Sequence, residues 1–178
     1  RLLSRGLGDV YKRQGFLDAA KIQNVYLQEW NSIYLKEYEK YSFADELKLS
    51  PENYAISISN MIELNQSVVV SENITNEMDY ELAEDKLQGI VNDYKTKEEE
   101  GIGVAYIVES FNSIEDKATI YAVFFDLSDN SIFYEQKVVT KPGGFGFKNF
   151  WIRSVFNVQV EYFPKWYKLW KKQNKNKK

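Results

Sequence analysis

The chain has 178 residues, 44% of them hydrophobic and 16% aromatic, which is material for one domain with a single core. Its charged fraction of 28% is ordinary for a globular protein, and its formal charge is −3. Cysteine and histidine are both absent, which excludes disulfides, thiolate nucleophiles, Cys/His zinc sites and imidazole bases, and no run of about eighteen apolar residues is present to cross a membrane as a helix.

The first fourteen residues read RLLSRGLGDVYKRQ. Ser4 to Gln14 resembles translated sequencing-adapter DNA, so residues 1–14 are expected to be an artefact outside the fold, to be set aside as a tag would be. A genuine basic arm is the alternative. Because the chain does not begin with Met, the native N-terminus is expected to be missing, with any export signal or lipid anchor it carried. The stretch holds Arg1, Arg5, Lys12 and Arg13 against Asp9, a net +3, which leaves −6 on the remainder. An acidic body argues against nucleic acid as a partner, since that needs a basic face.

From Gly15 to Leu49 the pattern is ambiguous. Ile22, Val25 and Leu27 fit the start of a strand or a helix continuing from Asp18, and Trp30, Ile33, Tyr34 and Tyr38 sit near helical spacing. Residues 43–49 read as a short helix. Ser50-Pro51 is a helix start, giving an expected helix from Pro51 to about Met61. Ile62 to Val70 ends in the β-branched run Val68-Val69-Val70 and is expected to be a buried strand. Asn76 would cap the next helix, with Glu77 and Asp79 in its first turn; Tyr80, Ala83, Leu87, Ile90, Val91 and Tyr94 form its apolar stripe.

Three strands follow. Ile102–Phe111 and Lys117–Leu127 are apolar on both faces and are expected to be central. Ser131–Thr140 alternates better and is expected at an edge. The loops Asn112–Asp116 and Ser128–Asn130 have hairpin length and turn chemistry, so the three make an antiparallel meander. After Pro142-Gly143-Gly144, an apolar helix runs from Phe147 to about Phe163. Pro164 kinks it or starts a new segment, and 165–178 is a basic tail. The expectation is therefore an α+β domain over 15–163, with 164–178 as a basic aromatic segment. Its sheet would be antiparallel or mixed, with four to five strands and helices packed on one face.

Between Ser67 and Phe156 the chain resembles an uncharacterised family of Bacteroidetes-type bacteria. The segments that carry the resemblance are SVVVSENIT (67–75), GIGVAYIVESFN (101–112), VFFDL (123–127) and GGFGFKNFW (143–151), with Lys148 where the family has Arg. The resemblance implies a bacterial, exported or periplasmic protein. It transfers no catalytic residues.

Three groups of residues are candidates for a site. Gly143, Gly144 and Gly146 precede a helix, whose N-terminus favours an anion, and Lys141 and Lys148 flank them. The plainer reading is a strand-to-helix turn needing positive φ, with Phe145 and Phe147 filling the core. Trp166, Leu169 and Trp170 form a stripe beside Lys165 and Lys168, which suits an anionic membrane surface or a protein partner; the plainer reading docks the tryptophans on the core. Glu109, Glu115, Asp116, Asp126 and Asp129 lie near hairpin ends, where clustered carboxylates bind cations or transfer protons, but are more often only solvated. No catalytic residue, metal or cofactor is expected. The leading reading is a non-enzymatic envelope domain that binds a protein or surface partner, and an exposed cluster of Phe145, Phe147, Trp166 and Trp170 would support it. The other is a small-anion binder, or an unfamiliar enzyme, using the Gly143–Gly146 loop.

Overall fold

The computed structural model describes residues 15–42, 44–75 and 80–174. The expectations for 1–14, for a cap at Asn76 and for the last four lysine-rich positions lie outside them. Three strands, β1 (Ile102–Asn112), β2 (Lys117–Asp126) and β3 (Ile132–Thr140), pair antiparallel in the order β1-β2-β3. Both connections rest on the expected turn chemistry. The Asn112 side-chain oxygen accepts from the N–H groups of Ile114 and Glu115, each at 3.0 Å. Asp126 and Asp129 accept from the N–H groups of Ser128 and Ser131, and Asn130 takes a left-handed φ of 59° that Asn tolerates.

The meander is as expected, but the sheet has three strands among the described residues rather than four to five. The strand expected at Ile62–Val70 is instead a helix, α2 (Ser59–Ser67), followed by a short turn of helix at Val70–Asn73. Met61 and Leu64, three apart, pack against the core from α2, while Val68 and Val69 are exposed. A β-branched run this short does not outweigh helical spacing of the apolar residues before it.

The N-terminal ambiguity resolves to helix. The Asp18 carboxylate accepts from the Lys21 N–H at 2.9 Å and caps a turn, Ala19–Lys21. That turn runs through a π-helical stretch, Ile22–Tyr26, into α1 (Leu27–Lys36). A short helix follows at Ala44–Leu47. The expected helix from Pro51 is a single 3₁₀ turn, Pro51–Asn53, because the Ser50 hydroxyl is engaged by the Asn53 side chain and makes no backbone cap. The helix expected from Tyr80 begins later, as α3 (Glu84–Asn92).

After the sheet, α4 (Phe147–Asn157) passes through a π-helical turn, Val158–Tyr162, into α5 (Phe163–Asn174). Pro164 is the second residue of α5. The widened turn before it accommodates a ring that would strike the preceding carbonyls of a regular α-helix.

Helices cover both faces of the sheet, not one. Along β2, Ala118, Ile120 and Ala122 point into a cluster with Phe16, Trp30, Phe147, Phe150 and Trp151. The intervening Tyr121, Val123 and Phe125 point the other way, into a cluster with Leu87 and Val91 of α3 and with Tyr94 just after it. A strand that is apolar on both faces needs a layer on each. The first face is mainly aromatic: Phe16 meets Phe147 at 4.6 Å, Phe111 meets Trp151 at 4.8 Å and Trp30 meets Phe111 at 5.5 Å between ring centroids.

Candidate functional site

The glycine loop turns the chain from β3 into α4. Gly144 and Gly146 have φ of 105° and 79°, and Gly146 is the N-cap of α4. The Gly143 N–H donates to the Phe150 carbonyl, and the Phe150 N–H donates back to that of Gly146. The loop sorts its two aromatics, leaving Phe145 90% exposed and burying Phe147 under Phe16 and Tyr26. Its lysines do not converge on it. Lys148 reaches Glu29 of α1 at 3.8 Å, while its carbonyl accepts from the Trp30 indole. Lys141 is exposed, its carbonyl held by the Asn157 amide. The arrangement does what a turn does: it delivers α4 onto the aromatic face.

The C-terminal candidates divide. Trp166 is half-buried against Phe124, Tyr134 and Phe163. Lys165 is exposed with its ammonium over the Tyr162 ring, and Lys168 and Leu169 are exposed. The side chain of Trp170 lies outside the described ones. The exposed cluster of Phe145, Phe147 and Trp166 that would support the binding reading is not assembled, since Phe147 is buried and Trp166 half-buried while Phe145 is exposed.

The carboxylates lie at opposite ends of the sheet. Glu115 pairs with Lys117 in one hairpin, and Asp126 and Asp129 build the other. Among the described residues, no group of three acids is placed to hold a metal. Glu109 differs from the rest. The β1–β2 register slips between Val108 and Ser110, and this bulge turns Glu109 inward until its side chain is 2% exposed. Its carboxylate accepts from the Leu82 N–H at 2.8 Å and the Lys137 ammonium at 3.1 Å, and the Tyr121 hydroxyl lies at 3.5 Å. Partial burial opposes the charge on Lys137, but the hydrogen bond and negative charge of Glu109 outweigh it and raise the lysine above its ordinary range. Burial, then the neighbouring Glu109, raises Tyr121. These groups satisfy one another, and they tie the lead-in of α3 to the sheet. One acid in an otherwise apolar strand was the sequence signal for this role.

A larger feature has no motif to announce it. β1 lines an open cleft of about 2030 Å³ along its length, from Ile102 to Phe111. Trp30, Asn31 and Tyr34 of α1 and Met61 and Leu64 of α2 form other parts of its wall, with the irregular run Tyr54–Ile58. Among the described residues β1 pairs only with β2, and its other edge faces this space. No helix among the described residues is long and apolar enough to cross a membrane. Fold and cleft together define the class: an α+β domain on a three-stranded antiparallel meander, with helices on both faces and a groove along its first strand. Compared with protein-family models, curated sequences and solved structures, the chain matches none.

Proposed function

We propose that this domain is a non-enzymatic binding module for a protein partner, sited in a bacterial envelope as the family resemblance implies, with the cleft along β1 as its binding surface. The observation that carries this is the cleft's size and lining. Pockets for small ligands run to roughly 300–1,000 Å³. A groove of about 2030 Å³ walled by a strand edge and two helices has room for a polypeptide segment. The competing sites are less well built. Of the lysines flanking the glycine loop, Lys148 pairs with Glu29, and Trp166 of the basic C-terminal segment packs on the sheet.

Selection of randomised displayed peptides on the immobilised domain tests the reading. Val108 lines the cleft and is 41% exposed, so its replacement should leave the fold intact. Clones are expected to bind the native domain and to lose binding on Val108→Lys. Parallel titrations use inorganic phosphate and vesicles of anionic phospholipid. If no clone is enriched while phosphate perturbs the amides of Gly143–Gly146, the domain is an anion binder. If only the vesicles bind, and salt releases them, the basic C-terminal segment is the functional surface.

A further inference from the structure

The two edges left unpaired by the described residues are not alike. β3 carries Glu135 and Lys137 in its middle and has a register slip opposite Phe124/Phe125, all devices that discourage another strand from pairing. From Ile102 to Val108, β1 reads IGVAYIV without one charge, and its register with β2 is regular over that stretch. Ile102 is 58% and Val108 41% exposed. Along such an edge every second residue turns its N–H and C=O away from the sheet, here toward the cleft.

A further observation says what chemistry would fill the space. The exposed charged residues around the cleft are mostly acidic: Glu52, Glu72, Asp93, Glu98 and Glu100, with Glu109 buried against Lys137. Lys48 and Lys86 are the bases among them.

From these we infer that β1 takes up an extended peptide strand of a partner protein, apolar at its centre and basic at its flanks, which adds to the sheet beside Ile102–Val108. This rests on the reading of the cleft as a protein-binding surface and specifies its mode. The strand's amides and carbonyls pair with the outward-facing groups of β1. Alternate apolar side chains lie against Tyr34 and Trp30 on one side and Leu64 and Met61 on the other. Lysine or arginine at its ends meets the acidic rim. Recognition by strand addition draws affinity from the main chain and selectivity from alternate side chains and flanking charge.

The test uses the whole domain and a synthetic peptide of about ten residues, the length of a long strand, with alternating valine and threonine between paired lysines. Amide hydrogen exchange is followed residue by residue, and affinity by calorimetry. The inference requires fast exchange at the outward-facing amides of Ile102–Val108 in the free domain, and slow exchange there with peptide. Glutamate flanks in the peptide, Val108→Lys in the domain, or N-methylation of alternate peptide amides should each weaken binding roughly tenfold or more. Slow exchange along β1 without peptide would mean that the chain's own Tyr54–Ile58 run already covers the edge, and the inference fails. If the peptide binds but protects other amides, strand addition at β1 fails while the binding-module reading stands. If neither the peptide nor any displayed sequence binds, both fail. Equal affinity for lysine and glutamate flanks overturns the basic-flank assignment.

Discussion

The two faces of the sheet are covered in different ways. On one, a continuous set of rings from Phe16, Trp30, Phe111, Phe147, Phe150 and Trp151 joins α1 and α4 to the strands. On the other, α3 contributes Leu87 and Val91, Tyr94 follows just after it, and polar groups hold the rest in place: Glu109 to Leu82 and Lys137, and Gln88 to Asn130 and Ile132. Apolar burial is the more extensive on the first face. The second face combines a smaller cluster with directional bonds, so α3 and its lead-in should open at lower free energy than α4.

Truncation on each face tests that difference most strongly. Trp151 is fully buried between Phe111 and Phe150, and Trp151→Ala should cost about 3–5 kcal/mol in denaturant unfolding, lowering the whole transition. Leu87 is 1% exposed, and Leu87→Ala should cost less, about 2–3 kcal/mol, with amide exchange accelerated mainly in α3. If Leu87→Ala costs as much as Trp151→Ala and speeds exchange equally throughout, the faces are one cooperative unit and the contrast is wrong.

Alkaline pH sharpens it next. Burial pushes Tyr94, on the α3 face, up to about 12. Tyrosine in the unfolded chain ionises near 10, so the folded state retains a proton that the unfolded state loses. The stabilisation is complete below about pH 10 and is lost as pH rises toward 12, amounting to roughly 2–3 kcal/mol at most for a shift of this size. Tyr94→Phe keeps the ring against Phe125, 5.8 Å away, and should move the alkaline unfolding midpoint upward. Burial also raises Tyr34, on α1, so a residual alkaline transition should persist in the variant. No change of midpoint on Tyr94→Phe would show that α3 has already detached before Tyr94 titrates.

The legibility of these features in the sequence follows how local their causes are. The meander was readable because turns such as Asn112–Asp116 and Ser128–Asn130 carry their own hydrogen-bond chemistry within a few residues. That α3 and α4 lie on opposite faces was not, although the apolar composition of β2 on both faces already implied two layers. The start of α3 was misplaced because Leu82 is held by Glu109, twenty-seven residues away, and local spacing cannot see that contact. Val68-Val69-Val70 suggested a strand by propensity alone, which tertiary packing of Met61 and Leu64 overrides. The glycine loop was legible as a positive-φ turn, but of the two aromatics expected in the core only Phe147 is buried, while Phe145 faces solvent. The cleft was not, since its walls come from segments far apart in the chain.

The smallest expected effects concern that loop, which supplies the aromatic face with α4. Gly146 has φ of 79° and open space where a Cβ would stand, so alanine there meets backbone strain without a clash. Gly146→Ala should cost about 1 kcal/mol. Gly143 has no such φ, and a Cβ would meet the Arg153 side chain at 3.6 Å, an ordinary contact, so Gly143→Ala should be close to neutral. The pair separates geometry from ligand binding, because both glycines belong to the candidate anion site. Stability that falls for position 146 and holds for 143, with no change in phosphate response for either, assigns the loop to shaping the turn into α4. A loss of phosphate binding in Gly143→Ala with stability intact would instead make the backbone at that position a ligand contact. The loop would then be a site in its own right, and the aromatic face would owe its position to a segment with a second task.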